Sequence, residues 1–442
     1  MRKTLIKYPY LNKDVEIYEN DNGHKIVLAH KEGNMVSVSS WVKTGSINED
    51  DHNNGISHFL EHLMFKGTHK HKVGEFDKIL ESKGAIVNAA TWKDYTFYYV
   101  TLPKGENNKY FNMALDLHAD MMMDPIFPSE ELGAPFDIND STVTDKRERH
   151  VVIEEIRMRK DQPWTKVYNQ CNKNMYANHP YKRDVIGTPE IISQVTREDI
   201  DNYYRKFYTP KNVTTIVVGD FIHDEVLQKI KEKFTFPNRI ESEQRENIID
   251  NPTSQTKYIE EKSNVQTGYV MFGWLGPKAC ELKDSICLDL ISIIFGDGAS
   301  SRLQQNLIEK MPEQIFNMVG TEHYQFKDGN NFFIQANFKP EAKEQAIELI
   351  KNELNGLLEN KITQEELLKS KKRIKSRFAN EAETVSEIGE NIGYYETVCG
   401  SLKLIEEYLK DLESISVEDL ENAVRKYLSI ENSVISVLMP EG

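Results

Sequence analysis

Apolar and polar residues along the chain alternate in both helical and strand patterns. Residues 56–65 have apolar side chains around three polar positions at helical spacing, and Gly67 follows as a helix stop. Asn88 to Val100 is rich in Thr, Tyr, Phe and Val, which favours a strand, and Asn22-Gly23 predicts an early hairpin. Strands and helices mix without a regular β-α-β alternation. The pattern therefore predicts an α+β fold, with helices on one face of a mainly antiparallel sheet.

The chain contains an internal repeat. Residues 198–207 recur 220 positions later as residues 418–427, and each copy is followed by an Asn and an apolar strand. The openings match more loosely, because Val36 to Lys43 with Gly45 beyond resembles Tyr269 to Leu275 with Gly276 beyond. A constant offset predicts two halves of similar size and fold, each an α/β sandwich.

The repeat also predicts the domain boundaries. The first domain is expected over residues 1–235 and the second over residues 257–442, joined by a polar linker at 236–256 with two prolines. In the second half, the region equivalent to the predicted helix that contains His58 and His62 is Leu288 to Gly296, which is apolar and has no His. A stripe of four apolar residues in this half is predicted to be sheet core: Phe332, Phe333, Ile334 and Phe338.

Composition and charge limit the class of protein. A chain of 442 residues with 39% hydrophobic residues can form packed cores. The formal net charge of −15 argues against nucleic acid or an anionic membrane as a partner. The N-terminus lacks the apolar stretch of a signal peptide, and no apolar run approaches a membrane span. The four cysteines form no C-x-x-C or paired framework, which suits a reducing compartment and predicts a cytoplasmic protein.

The candidate chemistry begins with His58, Glu61 and His62. Positions i, i+3 and i+4 share one face of a helix, so two imidazoles and a carboxylate meet within one turn. This order, H-x-x-E-H, is the inverzincin signature, in which the histidines bind zinc and the Glu is placed to take a proton from water. The competing interpretation is three ordinary residues on a half-buried helix. Apolar neighbours on all sides favour the metal.

A third metal ligand is expected from residues 148–159. Glu148 and Glu155 are seven positions apart and would share a helix face, whereas Glu154 would point about 100° away. Glu155 is therefore the predicted ligand, and Glu148 is predicted to hold a ligating His or the water. The alternative is a solvated charged helix with pairs such as Glu154–Arg157 and Glu155–Arg159.

At this point the sequence resembles the insulinase/pitrilysin metallopeptidases. It is most similar to the bacterial branch related to the mitochondrial processing peptidase β subunit. The matching segments lie in both halves: His58 to His62, Gly84 to Tyr98, Glu148 to Met158, His179 to Tyr181, Gly187 to Glu190 and Ser300 to Leu303.

The resemblance implies a fold and a site. Two homologous halves would face each other as a clamshell, and two chains can close around a chamber. One Zn²⁺ per chain would be held by His58, His62 and Glu155, with Glu61 as general base. A peptide would be laid as an extra strand along Asn88 and Ala89, a binding mode that an exposed sheet edge supports. The competing interpretation of that segment is a core strand without a ligand.

Two departures from the family pattern matter. Residues 133–144 form an apparent insertion, rich in turn-forming residues, between His62 and Glu155. Family members that act alone carry an Arg and a Tyr after the Ser-Ser-Arg-Leu segment, aimed at the substrate and the oxyanion. Here Met311 takes the Arg place and Ile315 or Phe316 the Tyr place, and none has a side-chain donor.

The sequence thus predicts a zinc endopeptidase acting on peptides or unfolded segments. The missing Arg/Tyr pair indicates a heterodimer with a related subunit that supplies the donors. One alternative is a self-sufficient homodimer in which Lys310, His323 or Tyr324 substitutes. An alternative of another class is a non-hydrolytic subunit of a larger assembly.

Overall fold

The chain folds into two compact units whose segments are exchanged along the sequence. A computed structural model describes residues 1–140, 147–236, 248–359 and 361–441. Unit 1 contains Met1–Arg157, a segment that starts at Arg183, and Phe378–Glu406. Unit 2 contains Met158–Lys182, a segment that ends at Arg377, and the chain from Glu407 onward. Packing thus groups residues differently from the chain-order division at 1–235 and 257–442, which stays a prediction.

Two predicted segments fall partly outside the described residues. Residues 237–247 of the predicted linker and residues 141–144 of the predicted insertion lie outside the described residues.

Unit 1 is built on a mainly antiparallel sheet. Within the described residues its strands are β1 (Arg2–Ile6), β2 (Val15–Glu19), β3 (Lys25–His30), β4 (Met35–Val42), β5 (Ile86–Thr91), β6 (Thr96–Pro103) and β7 (Val213–Gly219). Their order is β1-β2-β3-β7-β4-β6-β5, and β3 with β7 is the parallel pair. Strand β5 is therefore an edge of the sheet, hydrogen-bonded to β6 on one side.

Unit 2 repeats this arrangement with fewer strands. They are β8 (Lys257–Ser263), β9 (Gly268–Leu275), β10 (Phe316–Tyr324), β11 (Asn331–Phe338) and β12 (Val434–Pro440). The order β10-β11-β9-β12-β8 matches β5-β6-β4-β7-β3, and the final strand β12 pairs in parallel with β8 as β7 does with β3. The α+β class and the two homologous halves are confirmed. The four residues predicted as sheet core in β11 are fully buried.

Helices lie between the strands along the sequence of both halves. They are α1 (Ile56–Met64), α2 (Glu75–Glu81), α3 (Lys109–Met123), α4 (Ser129–Leu132), α5 (Glu148–Lys160), α6 (Pro163–Met175), α7 (Pro189–Ile192), α8 (Arg197–Phe207), α9 (His223–Lys233), α10 (Leu282–Phe295), α11 (Arg302–Gln304), α12 (Lys343–Glu359), α13 (Gln364–Glu381), α14 (Val385–Thr397), α15 (Lys403–Ser414) and α16 (Val417–Tyr427). Among the described residues, no helix combines the length and the apolar character that a membrane span needs.

The repeated helices α8 and α16 begin in the same way. Thr196 accepts a hydrogen bond from the N–H of Asp199, whose carboxylate accepts the N–H of Thr196. Ser416 and Asp419 form the same reciprocal pair, 220 positions later. Such a capping box satisfies two otherwise unpaired N–H groups at a helix start. The repeat in the sequence is thus a repeat of capping chemistry as well as of apolar spacing.

The exchanged segments supply one helix to each sheet. Helix α14, from the second half of the chain, packs on β4 and β7 of unit 1, where Gly393 lies directly against the indole of Trp41. Helix α6, from the first half, packs on β9 and β12 of unit 2, where Cys171 and Met175 lie against Gly273. A glycine at each contact lets helix and strand approach closely.

Two local predictions meet different outcomes. The hairpin at Asn22-Gly23 is confirmed, because it joins β2 to β3 with Gly23 at φ 90°. The single strand expected from Asn88 to Val100 is wrong. The chain turns at residues 92–95, where the N–H of Trp92 donates to the carbonyl of Tyr95 at 2.8 Å. Strand-favouring residues on both sides of this tight turn conceal it in the sequence pattern.

Candidate metal centre and peptide-binding edge

Helix α1 carries the H-x-x-E-H motif and is anchored at its start by a buried carboxylate. Glu49 accepts the N–H of Gly55 at 2.8 Å, the N–H of Ser57 at 2.9 Å and the side-chain amide of Asn54 at 2.8 Å. Burial raises the pKa of Glu49 despite these donors. The helix ends at Met64, and Gly67 lies just beyond it at φ 96°. A carboxylate at the N-terminus stabilises the helix and sets its position.

Helix α5 carries the two candidate carboxylates and is anchored by a buried cation. The guanidinium of Arg149 donates to the carbonyl of Gly133 at 2.9 Å, to that of Val195 at 2.7 Å, and to that of Ile192. Arg149 is fully buried, and its guanidinium also lies over the ring of Phe59 on α1. The two helices of the candidate site therefore touch through this residue.

The three predicted ligands meet at one point. Nε2 of His58 lies 3.6 Å from Oε2 of Glu155, and Nε2 of His62 lies 3.5 Å from the same oxygen. One ligand atom from each residue lies within 4.8 Å of the other two. Glu154, by contrast, is exposed and pairs with Arg157 at 2.5 Å. Two imidazole nitrogens and one carboxylate oxygen form a donor set that suits zinc, and they leave room for a fourth, non-protein ligand.

Glu148 lies behind the second histidine. Its Oε2 is 3.1 Å from Nδ1 of His62, and its other oxygen pairs with Lys66. Burial alone would lower the pKa of His62, but the hydrogen bonds to Glu148 and Glu155 outweigh it and raise that pKa to about 9. Burial would raise the pKa of Glu148, but hydrogen bonds from His62 and Lys66 lower it. A carboxylate in this place orients the ring so that Nε2 faces the common point.

Glu61 lies in a buried position between the histidines and strand β5. Its side chain is 9% exposed, and the hydroxyl of Thr91 donates to its Oε2 at 2.5 Å. Burial raises the pKa of Glu61, while the hydrogen bond from Thr91 and the charge of His62 oppose that change. A carboxyl with a raised pKa beside a candidate metal site suits proton transfer.

The predicted substrate-binding residues lie on the edge strand. Asn88 and Ala89 belong to β5, where exposed and half-buried residues alternate along the strand. The side-chain oxygen of Asn88 accepts the N–H of Ala89 at 2.9 Å. An edge strand of this kind can pair with an extended peptide. The alternative of a fully buried core strand is excluded by its position and exposure.

Sequence reasoning missed three residues that support the site. Arg149 is distant in sequence from the carbonyls that it contacts. Glu49 lies six and eight residues before the N–H groups that it accepts, at Gly55 and Ser57, but no recognised motif indicates these contacts. Thr91 could have been found from strand parity, because it follows Ala89 by two residues on the same strand. It was missed because strand parity does not show that Glu61, 30 residues earlier, lies beside the end of β5.

Two known protein families match the chain, one after the other along the sequence. The family described as Insulinase (Peptidase family M16) matches residues 25–189. The family described as Peptidase M16 inactive domain matches residues 194–374. The second match covers most of the half in which the repeat lacks the histidines.

Curated relatives cover nearly the whole chain. The "Zinc protease PqqE" of Helicobacter pylori is 30% identical over 439 residues, covering 95% of this chain and 91% of the relative. The "Uncharacterized zinc protease YmxG" of Bacillus subtilis is 28% identical and covers 97% of this chain and 99% of the relative. A probable mitochondrial-processing peptidase subunit beta of Arabidopsis thaliana is 23% identical and covers 91% and 74%.

A solved structure gives the same result for the fold. The crystal structure of a protease from Helicobacter pylori superimposes with a TM-score of 0.86 at 28% identity, covering 98% of this chain and all of that one. The chain belongs to the insulinase family of peptidases, M16. The resemblance to this family and to the mitochondrial processing peptidase β subunit is confirmed, and relatives are named zinc proteases.

Proposed function

We propose that the chain is a zinc-dependent endopeptidase that cleaves peptides or unfolded polypeptide segments. The observation that carries this proposal is the convergence of His58, His62 and Glu155 within 4.8 Å. In the part of the chain that the structure describes, this is the one group of metal-binding residues that meets in this way. The proposal therefore includes one Zn²⁺ per chain, held by these three residues.

The residues of the candidate site have separate roles in the proposed hydrolysis. When bound, zinc would supply Lewis acidity that polarises the substrate carbonyl and activates a water near neutral pH. Glu61 accepts the proton of that water as its oxygen adds to the carbonyl carbon. Glu61 then gives the proton to the amide nitrogen as the C–N bond breaks, which leaves a carboxylate and an amine. Glu148 holds the ring of His62 in place throughout.

Strand β5 supports a peptide substrate. An extended peptide laid along the segment of Asn88 and Ala89 would lie one short step along the strand from Thr91 and Glu61. Pairing through backbone groups places few demands on the sequence of the peptide. This supports unfolded segments and peptides as the substrate class.

The second half of the chain supports a partner subunit. Ile315 and Phe316 are buried in unit 2, and neither they nor Met311 has a side-chain donor. Loss of one oxyanion donor can reduce the rate about 10²–10³-fold. We therefore propose a heterodimer with a related subunit that bears the Arg/Tyr pair. The homodimer alternative is weakened at His323, whose Nδ1 lies 2.7 Å from Asp289.

The compartment is part of the same proposal. Cys171, Cys280, Cys287 and Cys399 are all free thiols, which suits the reducing cytosol. We expect the protein to act in the cytoplasm.

One experiment tests the function directly. The purified chain is assayed for zinc by mass spectrometry and for hydrolysis of a fluorogenic peptide, with and without a related subunit that carries the Arg/Tyr pair. We expect about one zinc per chain, weak hydrolysis alone and strong hydrolysis with the partner. Glu61→Gln should keep zinc and lose nearly all hydrolysis. Full activity of the chain alone would favour the homodimer, and zinc without any hydrolysis in either case would favour the non-hydrolytic subunit.

A further inference from the structure

The backbone of β5 has one side that pairs with β6 and one side that faces the open edge. In an antiparallel pair, residues alternate between the two sides. The N–H of Trp92 donates to Tyr95, so residue 92 faces inward, and so do Ala90 and Asn88. Residues of the other parity, Val87, Ala89 and Thr91, direct their N–H groups toward the edge. This is the side on which an added strand would pair.

The outward N–H groups of β5 have different partners. The N–H of Ala89 donates to the side-chain oxygen of its neighbour Asn88, an exposed contact that an incoming peptide carbonyl can replace. The N–H of Thr91 donates instead to the carboxylate of Glu61, as does its hydroxyl. The last outward position of the strand is therefore taken by the proposed general base.

Thr91 thus belongs to the strand proposed to pair with the peptide and also contacts the proposed general base, Glu61. Two donors from one residue restrict both the position and the rotation of the Glu61 carboxylate, which is itself 9% exposed. The hydroxyl of Thr96 on β6 lies 3.4 Å from that of Thr91, but it donates its one proton to the carbonyl of Thr44 at 3.0 Å and does not hold Thr91. Thr91 is held by its place in β5, so the carboxylate bonded to its hydroxyl is held by the sheet as well.

We propose that Thr91 is a positioning residue that fixes the Glu61 carboxylate and ends the peptide-pairing edge at Ala89. A paired peptide would then run along Val87 and Ala89, and its next segment would face Glu61 rather than the strand. The spacing between outward positions is about 6.6–6.8 Å, two residues of a strand, which brings the bond beyond the last pair to the base. This inference rests on the proposed function.

Thr91→Val tests the positioning role, because Val has nearly the same shape and lacks the hydroxyl. Measured on the zinc-loaded chain with its partner subunit, we expect kcat to fall about tenfold or more, a fraction of the 10²–10⁴ that a positioned base contributes. KM for the fluorogenic peptide should change less than twofold. Zinc content and the thermal unfolding midpoint should remain those of the parent.

Two further variants separate positioning from general stability. Thr91→Ser keeps the hydroxyl and should restore kcat to near the parent value. Thr96→Val removes the neighbouring buried hydroxyl without touching Glu61 and should leave kcat near that of the parent. In the Glu61→Gln background, Thr91→Val should not change the affinity for an uncleaved peptide measured by fluorescence anisotropy.

The outcomes distinguish the two proposals. A kcat for Thr91→Val within twofold of the parent, an equal fall in Thr96→Val, or a loss of zinc or folding in Thr91→Val would overturn the positioning role. Equal hydrolysis by the parent and Glu61→Gln would overturn the proposed function, and the role of Thr91 with it. An inactive Glu61→Gln beside a fully active Thr91→Val would overturn the role of Thr91 alone.

Discussion

Nδ1 of His62 lies 3.1 Å from Oε2 of Glu148, and Nε2 of the same ring lies 3.5 Å from Oε2 of Glu155. The ring thus bridges two carboxylates from one helix, seven residues apart. Glu148 fixes the orientation of the ring, and Glu155 is proposed to bind the same metal ion as Nε2 of that ring. The seven-residue spacing of the two carboxylates on α5 thus lets both of them contact the one imidazole of His62 on α1.

This relationship predicts the effect of Glu148→Gln. The amide removes the negative charge and its ion pair with Lys66, so His62 is oriented less firmly and is a weaker ligand. We expect zinc affinity to fall about 10–100-fold, as for other residues that hold a metal-binding His. Competition with a fluorescent zinc chelator measures it. Unchanged affinity would show that Glu148 does not act through His62.

The choice of Glu155 over Glu154 makes a second prediction. Glu155→Ala should lose zinc, because it removes one of the three donor groups that converge. Glu154→Ala is the matched control, since Glu154 is exposed and its surface ion pair with Arg157 contributes little to stability. Zinc content after dialysis distinguishes the two variants. Normal zinc in Glu155→Ala and loss in Glu154→Ala would reverse the assignment.

The contact of α14 with the sheet of unit 1 predicts a difference between two glycines on one helix. A Cβ on Gly393 would come 2.0 Å from the indole of Trp41, whereas a Cβ on Gly389 would meet its nearest atom at 3.7 Å. Gly393→Ala should therefore lower the free energy of unfolding by about 1–3 kcal/mol. Gly389→Ala should be neutral or stabilising by up to about 1 kcal/mol, because Ala favours a helix. Urea denaturation of both variants measures this, and equal stability would contradict the packing.

Two buried histidines far from the metal centre predict a pH dependence of stability. Burial lowers the pKa of both His24 and His118 to about 3, and each ring donates to or accepts from one hydroxyl, Thr215 or Ser40. The unfolded chain therefore binds these protons more readily than the folded chain does. Their contribution to stability is complete above pH about 6.5 and is lost as the pH falls toward about 3.

The expected size of this effect is roughly 1.4 kcal/mol for each histidine and each pH unit below about 6.5. Urea denaturation between pH 7 and 5 measures the slope. His118→Gln should reduce that slope by the share of one histidine. A slope that is the same in the variant and the parent would show that His118 is protonated in the folded state.

Local patterns predicted much of the fold and the centre of the site. The spacing of His58, Glu61 and His62 on one helix face follows from 3.6 residues per turn, and the choice of Glu155 follows from the same geometry on α5. The repeat of residues 198–207 at 418–427 predicted two homologous halves, because both copies carry the same apolar spacing and the same helix start. These features depend on residues close in the chain.

Other features depend on residues that are far apart. The turn at residues 92–95 divides a segment whose composition favours a strand throughout, so composition could not reveal that β5 is a separate edge strand. The exchange of α6 and α14 between the two sheets is likewise invisible in the sequence, because both helices have the apolar spacing that either sheet would accept. Close packing at Gly393 and Gly273 selects the partner.

The sequence by itself determined the helix faces, the internal repeat and the identity of the residues that can bind a metal, since these follow from helical and strand periodicity. Only the tertiary structure decided that Glu155 and the two histidines share one point, that Arg149 and Glu49 anchor their helices, and that Thr91 contacts Glu61. Apart from those of Glu49, these contacts join segments about 15 to 100 residues apart, and packing, rather than local spacing, sets the distances between them.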